Sequence, residues 1–168
     1  MENIQITKGD KDTLYKEVLP QIDSLISYET DIIANLANIA AVLKQVFDFY
    51  WVGFYVVKKT IQKDQNKQQL VLGPFQGPLA CTRINYGRGV CGTAWEEGQT
   101  IIVPDVDQFP GHIACSSASK SEIVIPIKNS DGSIYGVLDI DSDELNKFDN
   151  IDAKYLQILA DIICKNLK

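Results

Sequence analysis

Two apolar runs, SEIVIPIKN at 121–129 and SIYGVLDID at 133–141, are joined by Ser130-Asp131-Gly132, and this pair narrows the fold more than any other feature. An Asp-Gly turn between runs rich in β-branched residues is a strong antiparallel hairpin signal. A lone hairpin is barely stable in water, so further strands and a covering layer must exist elsewhere in the chain. Residues 49–57, FYWVGFYVV, are aromatic and β-branched and read as another strand. The polar stretch KKTIQKDQNKQQ then leads to a partner strand near LVLG, which makes a second hairpin with a long tip over 58–69. Gly73-Pro74 and Gly77-Pro78 read as breaks after it.

The covering layer comes from both ends of the chain. Residues 11–28 and 31–47 read as helices. The second, DIIANLANIAAVLKQVF, has apolar residues at 32, 33, 36, 39, 40, 43, 46 and 47, with Thr30 or Asp31 as its N-cap. Residues 150–167 read as a last helix capped by Asp149, with Asp152 in its first turn and Lys165 and Lys168 near its end, charges that suit the helix dipole. The middle of the chain is irregular. It turns at Gly87 and Gly89, holds a short helix around CGTAWEEG, and continues through a short TIIVP strand into an unpatterned stretch at 105–120. The expected class is α+β: an antiparallel sheet with the N- and C-terminal helices on one face. The loop-rich middle is left for the other face, where a pocket is expected. The 168 residues are expected to form one domain, 1–168, with 1–10 as a loose arm.

Charge and composition exclude several functions. There are 16 Lys and Arg against 22 Asp and Glu, a net charge of −6 with no basic stripe, which disfavours nucleic acid and anionic membrane. No apolar run approaches the roughly 18 residues that span a bilayer. The start, MENIQITKGDKD, lacks an apolar signal core, so a cytoplasmic location is expected. The single histidine, His112, excludes sites that need two or three His ligands. The four cysteines, at 81, 91, 115 and 164, contain no Cys-x-x-Cys pair, which argues against structural zinc.

Three groups of residues remain as chemistry. Cys81, Cys91 and Cys115 fall in the Gly- and Ser-rich middle, where a cysteine is more exposed than in an apolar run; two of them brought together can act as nucleophile and resolving thiol. Cys164 reads as a small apolar residue on a helix face. Asp139 and Asp141 are two apart on a strand and share a face, and the hairpin register brings Glu122 near them. Three close carboxylates cannot all ionise cheaply, so one is available as a proton donor near neutral pH; the alternative is a solvated strand end or an incidental cation site. Trp51 and Tyr55 share a strand face with Gly53 between them. They read either as core packing or as two walls of a slot for a methyl, thioether or cation. Gly87 and Gly89 read as turn residues, and His112, in a Pro-Gly loop, as structural or as a base for Cys115.

The segments WVGFY, LVLGPFQG, GRGVCGTAW, VPDV, GHIACSSASKSEIVIPI and GVLDIDS, with Cys81, Cys91 and Cys115, resemble the free methionine-(R)-sulfoxide reductases, which are stand-alone GAF domains. The resemblance covers the chain from about residue 12 onward and implies a six-stranded antiparallel sheet. It implies reduction of free methionine (R)-sulfoxide by a sulfenic acid and an intramolecular disulfide, with thioredoxin as reductant, no cofactor or metal, and a homodimer. Cys115 matches the catalytic cysteine, Cys81 the main resolving cysteine and Cys91 an auxiliary one. Glu122, Asp139 and Asp141 match acids that contact the substrate and polarise the sulfoxide. Trp51 and Tyr55 match the wall around the substrate methyl group. Ordinary GAF modules sense a small ligand without these cysteines, so a ligand sensor and a zinc-binding structural protein stand as the alternatives.

Overall fold

The computed structural model describes residues 4–59, 68–112 and 118–167. Cys115, most of the long hairpin tip and Lys168 lie outside the described residues. Asp10 opens α1 (Lys11–Ile26) by accepting from the Thr13 amide. Asp31, rather than Thr30, caps α2 (Ile32–Phe47): its carboxylate accepts from the amides of Ile33 and Ala34. Before α1, the Gln5 amide donates to Gln21 Oε1 and the Thr7 amide to Glu17 Oε2.

Six strands follow: β1 (Trp51–Lys59), β2 (Gln68–Gln76), β3 (Arg83–Asn85), β4 (Ile101–Val103), β5 (Ser121–Lys128) and β6 (Ile134–Ser142). They form one antiparallel sheet in the order β3-β2-β1-β6-β5-β4. The Gly73-Pro74 break is not a break. β2 runs through it, and the pairing with β1 skips from Gly53↔Phe75 to Tyr55↔Leu72, a bulge that absorbs the proline without ending the strand. α3 (Gly89–Glu97) lies between β3 and β4 and begins two residues before Cys91. α4 (Asn150–Asn166) closes the chain with a capping box between Asp149 and Asp152.

The two faces of the sheet follow from side-chain alternation. Val52, Phe54 and Val56 of β1, Ile123, Ile125 and Ile127 of β5, and Leu138 and Ile140 of β6 pack in one core with α1, α2 and α4. Their alternates Trp51, Tyr55, Val124 and Val137 pack with α3 in a second, smaller core on the opposite face. The terminal helices therefore share a face, and the irregular middle covers the other. At the helix side, Asp152 is fully enclosed and is satisfied by the Tyr15 hydroxyl at 2.9 Å and the Lys11 ammonium at 2.5 Å. Among the described residues no helix is long and apolar enough to cross a membrane.

Candidate active site

The register of the three central strands builds the site. Glu122 pairs directly with Asp141 across β5 and β6. Trp51 pairs with Asp141, and Gly53 with Asp139, across β1 and β6. Because alternate residues share a face, the three carboxyls and the two aromatic rings form one group on the side away from the terminal helices. A cleft of about 570 Å³, part of it continuous with solvent, opens over this group. α3 contributes Cys91 and Val90 to its wall, and the loops contribute Leu79, His112 and Ser119.

The electrostatics of the cleft floor are unusual for a sheet. Glu122 and Asp139 are each 6% exposed. Burial, and then repulsion from Asp139 and Asp141, drives the Glu122 carboxyl well above the usual carboxylate range. Burial, and then the charge on Asp141, does the same to Asp139. Asp141 rises less, to about 6: burial lifts it, while the Ser119 hydroxyl donates to its Oδ1 and pulls it back. Asp141 is therefore the one of the three that ionises most readily, while burial favours the neutral form of Glu122 and Asp139. The His112 Nε2 lies 3.8 Å from Glu122 Oε2. Burial lowers the His112 pKa, and the nearby Asp107 charge partly opposes that shift.

Cys91 does not meet the expectation that a glycine-flanked cysteine is exposed. It is 3% exposed inside α3, with its Sγ 4.0 Å from Glu122 Oε1. Burial, followed by Asp139 and Glu122, pushes its thiol well above the ordinary range. Cys91 and Cys164 are free thiols, whereas Cys81 is disulfide-bonded. Cys164 is half-buried on α4, far along the chain from the cleft residues and absent from the cleft wall.

The open slot expected over Gly53 is also corrected. A Cβ at Gly53 would lie 2.4 Å from Phe75 Cβ and 2.6 Å from Trp51 Cη2, so neighbouring side chains already fill that space. Trp51 stacks on Phe75 at 5.4 Å, and both Trp51 and Tyr55 face the cleft from there. Their polar ends have a second role that sequence patterns do not carry. Trp51 Nε1 donates to the Pro78 carbonyl at 3.1 Å, and the Tyr55 hydroxyl donates to the Cys81 carbonyl at 2.9 Å. The loop that bears Cys81 is thereby pinned to β1. His112 was read from sequence as structural or as a base for Cys115; its place against Glu122 comes from a contact across ten residues of irregular chain that no local pattern encodes.

Comparison with known proteins identifies the family. The GAF domain family model matches residues 31–167. GAF domain-containing protein A of Dictyostelium discoideum is 59% identical over 94% of this chain and 96% of its own. The free methionine-R-sulfoxide reductase of Escherichia coli is 43% identical over 90% of this chain and 87% of its own. This chain belongs to the free methionine-R-sulfoxide reductases of the GAF family. Among solved structures, that of the Neisseria meningitidis free methionine-R-sulfoxide reductase in complex with its substrate superposes with a TM-score of 0.92. It is 56% identical and covers 99% of this chain and 96% of its own. The six-stranded sheet and its helices are accordingly the GAF fold.

Proposed function

We propose that this protein reduces free methionine (R)-sulfoxide to methionine, with Cys115 as nucleophile. The observation that carries the reading is the buried row of Glu122, Asp139 and Asp141 on the floor of one cleft, where burial favours the neutral form of Glu122 and Asp139. A sulfoxide sulfur is a weak electrophile, and a neutral acid that hydrogen-bonds or protonates its oxygen makes attack at sulfur feasible. Glu122 suits that donor role, with His112 against its other oxygen. The ionised Asp141 suits an ammonium group, which a free amino acid offers and a peptide-bound residue does not. Trp51 and Tyr55 offer apolar wall for the methyl group.

In the proposed cycle the Cys115 sulfur attacks the sulfoxide sulfur and takes its oxygen. Methionine leaves and Cys115 becomes a sulfenic acid. Cys81 condenses with it, forming a disulfide and releasing water. The disulfide-bonded state of Cys81 in this structure supports its role as the resolving cysteine. Cys91 is held as a thiol by burial beside two acids, which fits an auxiliary role better than that of nucleophile. Thioredoxin is the proposed reductant that reopens the disulfide by thiol exchange, in the cytoplasm, and the working form is proposed to be a homodimer. No metal or organic cofactor enters this cycle.

The test is methionine formation from the separated R and S epimers with dithiothreitol as reductant. The R epimer alone should be consumed, and Cys115→Ser should abolish the reaction. A Cys81→Ser variant should use about one equivalent of substrate and then stall with thioredoxin. Equal use of both epimers, or activity surviving Cys115→Ser, would overturn the assignment.

A further inference from the structure

We propose that the cleft floor is also a binding site for one borderline-soft divalent cation, zinc first among them, held by Cys91, Glu122 and Asp139. The three residues come from α3, β5 and β6, so no sequence spacing announces the site. One ligand atom from each lies within 4.8 Å of the others, and all three residues are buried. Tetrahedral zinc with sulfur and oxygen ligands needs these atoms about 3.5 Å apart, so binding would draw the three side chains together.

A second observation points to a ligand there. Among the described residues, buried Asp139 Oδ1 has no hydrogen-bond partner, although the residue is only 6% exposed and faces the cleft. A buried carboxylate oxygen left unpaired is costly, and a cation is one group that satisfies it. His112 Nε2 lies 3.8 Å from Glu122 Oε2 but outside this group of three, so the fourth coordination position is left to water. One thiolate and two carboxylates suit zinc or cobalt, and the thiolate suits magnesium or calcium poorly.

Binding needs no redox step. The cation displaces the Cys91 thiol proton and the protons on Glu122 and Asp139 to solvent. It then sits where the acids would meet a sulfoxide oxygen, so it blocks the site reversibly. This inference concerns the same cleft as the reductase reading but does not depend on it, because binding is measured without substrate.

The experiment uses the metal-free full chain and two probes, zinc by equilibrium dialysis and cobalt by absorption. The expected result is one cation per chain and a thiolate-to-cobalt charge-transfer band. Cys91→Ser should lose that band, and Asp139→Asn should weaken zinc at least tenfold. Circular dichroism checks that each variant is folded; should Cys91→Ser fail to fold, Glu122→Gln serves with the same tenfold expectation. Absence of stoichiometric binding, or a cobalt band and zinc affinity unchanged in these variants, would overturn the proposal.

Discussion

Replacing Asp141 by Asn should stabilise the protein at alkaline pH while impairing its chemistry. Burial lifts the folded-state carboxyl to about 6 from an ordinary value of 3.8, even though the Ser119 hydroxyl donates to it. The difference is about 2 pH units at about 1.4 kcal/mol each, or about 3 kcal/mol. The sign follows from which state ionises first. As pH rises past about 4, the unfolded chain releases this proton and the folded chain holds it. Folding therefore loses stability between about pH 4 and about pH 6, and the loss is complete above that window. Asparagine cannot ionise, yet it keeps an oxygen for Ser119. The variant should therefore gain about 3 kcal/mol on the parent at pH 8 compared with pH 4. For a chain of this size that is roughly 6–12 °C in melting temperature. The assay is urea unfolding followed by tryptophan fluorescence at pH 4, 6 and 8, with both proteins in the same disulfide state. A stability difference that stays constant with pH, or that favours the parent at pH 8, would refute the reasoning. The same substitution should lower methionine formation, the pattern of an active site that trades stability for function.

Three smaller changes probe the frame around the cleft. Tyr55→Phe removes the hydroxyl that holds the Cys81 carbonyl; it should cost about 1 kcal/mol in denaturant unfolding and slow the thioredoxin-dependent half of the cycle. Gly92→Ala places a Cβ 2.4 Å from the Asn85 carbonyl oxygen, and that backbone has little room to yield. Roughly 1–3 kcal/mol should be lost, with activity falling because α3 carries Cys91; an unchanged melting temperature would show that the contact relaxes freely. Asp149→Ala breaks the capping box of α4, on the far face of the sheet. It should cost about 1 kcal/mol in thermal melts and leave the rate of methionine formation intact.

The layered α+β frame was legible because its signals are local. Helical periodicity, an Asp cap, and an Asp-Gly turn between β-branched runs each depend on neighbours a few residues away, and each reappears in α2, α4 and the β5–β6 hairpin. The partnership of Glu122 with Asp139 and Asp141 was legible for the same reason, since a short hairpin fixes its own register. Gly73-Pro74 was misread because a Gly-Pro pair is punctuation in isolation. Pairing with β1 outweighs that tendency by turning the extra residue into a bulge.

What sequence determined alone, then, is the list of elements, the alternation that sends one set of strand side chains to each face, and the chemical inventory of thiols and acids. Tertiary structure decided which members of that inventory meet. It buried Cys91 in α3 against Glu122, set His112 beside the same carboxyl, closed the space over Gly53 with Trp51 and Phe75, and used the Tyr55 hydroxyl to hold the Cys81 loop. Those contacts join segments between 10 and more than 30 residues apart. Burial then moves the carboxyl and thiol protonation states, and burial is a property of the packed assembly rather than of any residue's neighbours along the chain.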